Sequence, residues 1–278
     1  MAWAPEVASV ASLPETRAAR RGLAPALVAA RARFGLIALL LALAALAWAW
    51  TAGRMSGMDA GPGTDLGAVG WFLGVWVVMM AAMMFPSVWP TVALYAHMSR
   101  RRHLPLAFAS GYLATWTTAG LLAYGVFDLG RSLVGDELAW NSAGRWVAGG
   151  TLVAAAAYEL APLKDACLAK CRSPLAFLVG AWRERSLGAV SMGVQHGAWC
   201  VGCCWALMAS LFALGVMSLA WMAFVAALIA FEKIVPWGRL ATLTTAALLL
   251  ALGVLLIASP DTIPGLTVPG GGDAMVMP

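Results

Sequence analysis

Charge is what this chain has least of. Lys, Arg, Asp and Glu make up 11% of its 278 residues, against roughly 25% in soluble domains, too few to build a water-facing globular surface. A Walker A motif is lacking, which excludes ATP-driven pumping by this chain alone. So is an internal repeat, which excludes solenoids and propellers. No stretch is polar and long enough to form a soluble domain. The first apolar run starts too far from residue 1, and lacks a cleavage site, to read as a secretory signal.

What the chain has is apolar length. Hydrophobic residues fill 62% of it and mean hydropathy is +0.82. A hydrocarbon core of about 30 Å takes about 20 apolar helical residues to cross, and seven runs approach that: 34–53, 70–96, 105–128, 145–162, 187–213, 217–235 and 239–258. The expected fold is all-α, a polytopic membrane helix bundle over 34–259 with about seven transmembrane helices. Residues 1–33 are expected to form a flexible cytoplasmic tail, 163–186 a cytoplasmic loop, and 260–278, rich in Pro and Gly, a flexible extracytoplasmic tail. With the N-terminus inside, Arg54, Arg131 and Arg145 fall outside and the remaining 15 of 18 basic residues inside, so the positive-inside rule predicts N-in and C-out. The net charge of +5 is thus a topology signal, and no nucleic-acid partner is expected. Trp48, Trp50, Trp71, Trp140, Trp146 and Trp237 sit near span ends, as interfacial anchors do.

One apolar run carries chemistry. His196-Gly-Ala-Trp-Cys200-Val-Gly-Cys203-Cys204-Trp205 places an imidazole and three thiols in a membrane span. At 100° per residue, Met192, His196, Cys200, Cys203 and Cys204 share an arc of about 120° on one helix face. Cysteines at i, i+3 and i+4 make a small triangle that suits a trigonal or linear thiolate site, so any fourth ligand must come from elsewhere. Thiolate and thioether donors select Cu(I), and imidazole adds Zn, which places copper first and zinc second. A Cu(I) held by one thiolate plus neutral donors carries no net charge, whereas each further thiolate adds a negative charge that hydrocarbon disfavours. As buried free cysteines the three would merely be small hydrophobes.

A second sulfur face lies in the second span, where Met79, Met80, Met83 and Met84 form two pairs four residues apart beside Pro86. Packing explains such methionines as readily as ligation does. Counted at about 1.5 Å per residue, these methionines and the stretch from Met192 to Cys204 occupy overlapping depths, so the two helices can share one ion. Gly193 and Gly197, with Gly202, Ala206 and Ser210, offer narrow stripes for close helix approach.

Soft donors also flank the membrane. Met55, Met58, Met275 and Met277 are expected outside, and Cys167 and Cys171 inside. Lys164, Lys170 and Arg172 around those two cysteines favour their thiolates, and Pro162 and Pro174 bound a short interfacial helix that sets both sulfurs on one side. Glu159, Glu232 and Lys233 fall near inner span ends, where snorkelling to headgroups is the ordinary account. A Glu159–Lys233 pair closing an inner gate is the functional one. His97 and His103 flank Arg100 to Arg102 as loop residues.

Four motifs in order, MMAAMMFPSVWP, YELAPLKDACLAKCRSPLAFL, HGAWCVGCCWALM and FEKIVPWG, cover about 70–240 and resemble a bacterial family of predicted metal-binding integral membrane proteins, sometimes labelled copper chaperones. The family's pattern often has Gln where Glu159 stands and Thr where Ala161 stands. The resemblance implies metal binding at the cysteines, His196 and the methionine pairs, and residence in the bacterial inner membrane. The expected function is handling of Cu(I) by ligand exchange, across the membrane or toward a membrane cuproenzyme or a periplasmic metal-binding protein, with no catalytic role assigned. A membrane thiol–disulfide oxidoreductase using Cys200 and Cys203, and an assembly subunit using sulfur only for packing, stand as alternatives.

Overall fold

Apolar length becomes helix at each of the seven expected places, and the chain folds helix on helix. The computed structural model describes residues 34–55, 66–99, 101, 103–134, 143–183, 185–216, 218–235, 237–263 and 266. Among these are α1 (Phe34–Met55), α2 (Val69–Met98), α3 (Leu104–Val134), α4 (Arg145–Glu159), α5 (Pro162–Arg172), α6 (Pro174–Ala181), α7 (Ser186–Leu214), α8 (Leu219–Ile234) and α9 (Gly238–Ala258), with no strand. The expected tail over 1–33, Met58, Met275 and Met277 lie outside the described residues, as does most of 260–278, of which Pro260–Thr262 form a 3₁₀ turn.

Four helices are long and apolar enough to cross a membrane: Phe34–Arg54, Val69–Met98, Ser186–Leu214 and Gly238–Ala258. A fifth span results if α4 and α5, bent by 68° at their junction, count as one. The chain is therefore a membrane protein. The other helices fall below that mark for readable reasons: α8 has 16 residues, about 24 Å of rise, and α3 is diluted by Gly, Ser, Thr, Asp128 and Arg131.

The helix ends and bends follow from sequence. Proline opens α5 and α6, where its fixed φ suits the first turn and its missing N–H costs nothing. Gly215, at φ 112°, ends α7 in a conformation that side chains resist. Inside α2, Pro86 leaves the carbonyl of Ala82 without its helical donor, and the indole N–H of Trp48 on α1 donates to that carbonyl at 3.1 Å.

α7 is the axis of the bundle and packs on α3, α4, α5 and α8. It runs beside α3 in the same direction, with Gly193 and Gly197 as the contact. A Cβ at Gly193 would collide with the Phe108 carbonyl, and one at Gly197 would come within 2.8 Å of the Thr115 side chain. Across that seam the Thr115 hydroxyl donates to the Val194 carbonyl at 3.2 Å. Gly202 lies on another face, where a Cβ would come within 2.6 Å of Cys167 Sγ. There α5 folds back onto α7 rather than standing clear of the bundle. An apolar cavity of about 680 Å³ runs between α3 and α4 over α7, from Arg131 and Gly144 to Trp76, Val201 and Trp205.

Candidate metal centre

Three thiols converge where α5 meets α7. The Sγ atoms of Cys171, Cys200 and Cys203 lie within 4.8 Å of one another, and Cys171 and Cys203, from different helices, are 3.8 Å apart. A metal–sulfur bond of about 2.3 Å requires sulfurs about 4 Å apart in a trigonal plane and about 4.6 Å apart in a linear pair, so the triangle is already close to the size of a soft-metal site. Cys204 adds a fourth sulfur 3.7 Å from Cys200. The thiols of Cys203 and Cys204 both donate to the Cys200 carbonyl, at 3.2 and 2.8 Å, a back-bond that sets their rotamers. All five cysteines are free.

The third donor thus comes from the segment expected as a cytoplasmic loop. Pro162 and Pro174 bound α5 as its sequence predicts, but its two cysteines part ways: Cys171 joins the triangle, while Cys167 is buried against Gly202. Two of the three cations expected to serve both thiols have other partners. Lys164 turns away to carboxylates, and Arg172 donates to the Val235 carbonyl.

Cys200 has two polar neighbours that sequence reasoning missed. The Tyr112 hydroxyl on α3 is 3.0 Å from its sulfur, and the Lys233 ammonium on α8 is 3.1 Å away. Lys233 also donates to Ser87 Oγ on α2 at 3.2 Å, and the Ser87 hydroxyl donates to the Met84 carbonyl at 2.9 Å. The backbone of α2 is thus tied to Cys200 through Ser87 and Lys233. Met79, Met80, Met83, Met84 and Met192 are all buried. The sequence signal at Lys233, an ionisable residue near a span end, pointed to Glu159 and not to the sulfurs. Tyr112 gave none.

His196 is not in the triangle. Its ring stands among Phe177, Phe108 and Tyr112 with centroids 4.9, 5.8 and 6.0 Å away, and its Nδ1 has no hydrogen-bond partner among the described residues. Tyr112 links the two places, its ring against the imidazole and its hydroxyl on Cys200.

The expected Glu159–Lys233 gate does not form, and the two carboxylates do not snorkel. Glu159, Lys164 and Glu232 are 1%, 0% and 2% exposed. Lys164 bridges both carboxylates, bonding Glu159 and, at 2.7 Å, Glu232. Lys164 lies five residues from Glu159 on the turned-back α5, which brings it to Glu159 ahead of Lys233. His103 stays at the surface, 3.2 Å from Ser186 Oγ.

The sequence model of a family described as PpoB2, copper chaperone, matches residues 73–256. No match was found among curated proteins or among solved structures.

Proposed function

The chain belongs to the PpoB2 copper chaperone family, and from that premise we propose that it binds Cu(I) at Cys171, Cys200 and Cys203 and passes the ion on by ligand exchange. The observation that carries this reading is the sulfur triangle, whose donors are soft and free of carboxylates, with Cys200 and Cys203 buried and Cys171 half-buried, a set that favours Cu(I) over zinc. Cys204, His196, Met192 and the methionines at 79, 80, 83 and 84 are the exchange partners along the path, and Cys167 lies beside it. Methionine needs no deprotonation, so it can accept the ion before a thiolate does.

In this reading all seven apolar helices cross the inner membrane of a bacterium, N-in and C-out, with α5 and α6 re-entering from the inner side. The cavity between α3 and α4 supports access from the outer half, because its deep end at Val201 and Trp205 adjoins Cys200 and Cys204 in sequence. The recipient is a membrane cuproenzyme or a periplasmic metal-binding protein. Movement runs downhill or is driven by that partner.

The test is elemental analysis of protein purified in detergent under reducing, anaerobic conditions after loading with Cu(I). Wild type should retain copper near one ion per chain, and Cys200→Ser should retain little. Equal retention by both sinks the reading. A thiol–disulfide oxidoreductase is the second reading, and one observation favours it: Cys171 and Cys203 face each other from separate helices at 3.8 Å, a better pair than the adjacent turns of Cys200 and Cys203. Mass spectrometry of alkylated protein separates the two. A stable Cys171–Cys203 disulfide in active protein favours the redox reading.

A further inference from the structure

Three converging thiols raise an electrostatic problem that the sequence alone resolves the other way. In an apolar interior one thiolate neutralises Cu(I), and a second leaves a net negative charge. The three sulfurs nevertheless stand at metal-binding separations, with no backbone N–H among the hydrogen bonds to them. The Lys233 ammonium does reach them, 3.1 Å from Cys200 Sγ.

We propose that Lys233 is the counter-cation of the copper centre, which lets two thiolates hold one Cu(I) with no net charge. This rests on the copper reading above. The sum is local: two thiolates contribute −2, and Cu(I) and the ammonium +1 each. Each thiol that ligates releases its proton to solvent, and Lys233 keeps its own. The third cysteine remains a thiol, neutral and within reach, ready to enter as another leaves.

The neighbouring charges are engaged elsewhere. Glu232, one residue before Lys233, bonds Lys164 at 2.7 Å, and Lys164 also holds Glu159. Arg172, one residue after Cys171, donates to the Val235 carbonyl. Among the described residues no carboxylate lies within ion-pair distance of Lys233, and its hydrogen bonds go to Ser87 Oγ and Cys200 Sγ. Ser87 therefore acts as a positioning residue. It holds the ammonium from α2, next to Pro86, and Tyr112 holds Cys200 from α3.

Lys233→Met keeps the apolar stem and removes the charge, and Lys233→Arg restores the charge. In anaerobic competition with a chromophoric Cu(I) chelator, Lys233→Met should lose at least tenfold in affinity and Lys233→Arg should stay within threefold of wild type. Copper X-ray absorption on the loaded wild type should give two short Cu–S(thiolate) distances, a readout that does not depend on any variant folding. A single thiolate in wild type, or wild-type affinity in Lys233→Met, overturns the inference while leaving copper binding intact. Wild type that binds no Cu(I) overturns the copper reading itself and this inference with it.

Discussion

The two ends of α5 solve opposite problems with buried polar groups. At its start Lys164 meets Glu159 and Glu232, hard ions that satisfy one another and leave nothing for a ligand except one unpartnered oxygen on each carboxylate. At its end, seven residues and about 10 Å of rise away, Cys171 meets Cys200 and Cys203, soft donors with a single ammonium beside them. The first network is closed and the second is open to a cation. A buried ion triad contributes little to stability against an apolar replacement, but losing one partner is costly, so it favours the arrangement that keeps all three members together. Here the arrangement it selects is the fold-back of α5 against α8 and α7, which is what carries Cys171 to its partners.

The largest effect should come from emptying the open end. Cys200→Ser with Cys203→Ser removes two of the three sulfurs and should cost more than 100-fold in Cu(I) affinity, read by chelator competition, while thermal unfolding in detergent shifts little. An unchanged affinity would erase the distinction between the two ends.

Next comes the closed end. Lys164→Met leaves two carboxylates buried without their cation, a break worth about 3–5 kcal/mol, visible as a large drop in thermal stability. Copper binding should fall with it, because α5 loses its anchor. Replacing all three members together, with Leu at 159 and 232 and Met at 164, should recover most of the stability, since a wholly apolar substitute is often neutral or better. If copper binding also returns in the triple variant, the triad is a scaffold. If stability returns without copper, the triad's charge acts on the centre directly.

How much of this could be read from the chain follows the range of the interaction. α2 was expected at 70–96 and runs Val69–Met98, and α7 was expected at 187–213 and runs Ser186–Leu214, because an apolar run names its own helix. The one-face sulfur pattern of Cys200, Cys203 and Cys204 was legible for the same local reason, as were the glycines of α7. The meeting of Cys171 with Cys203 was not: the two are 32 residues apart, and they meet only because the chain returns through α6 to lay α7 against α5. Two acids and two lysines near inner helix ends allow several pairings, and nothing in their spacing selects among them. His196 is instructive in another way. It shares the sulfur face, yet on a helix one turn is enough to place a ring among different neighbours.

A smaller effect should follow from crowding the seam between the two ends. A Cβ at Gly202 would sit within 2.6 Å of Cys167 Sγ, so Gly202→Ala forces the Cys167 thiol to turn or α5 to move, and is expected to disturb the Cys171–Cys203 separation. Cu(I) affinity should fall about threefold to tenfold. Adding Cys167→Ala removes the colliding sulfur and should restore affinity. Failure of that rescue would mean that Cys167 contributes to the centre itself.

The smallest equilibrium effect is expected at His196. Its imidazole lies outside the triangle, among Phe108, Tyr112 and Phe177, so His196→Ala removes packing and no primary donor. Affinity should stay within threefold of wild type, with a loss of stability at the low end of the range for a truncated buried ring, about 1–3 kcal/mol. The rate at which loaded protein yields Cu(I) to a chelator should change more than the affinity does, because Nδ1, without a partner among the described residues, is one turn from Cys200 and can take the ion for a moment. His196→Phe fills the cage and separates the two effects: stability should recover and the slowed release should not. A tenfold loss of affinity in both variants would make His196 a resident ligand and extend the open end of the comparison by a full helical turn.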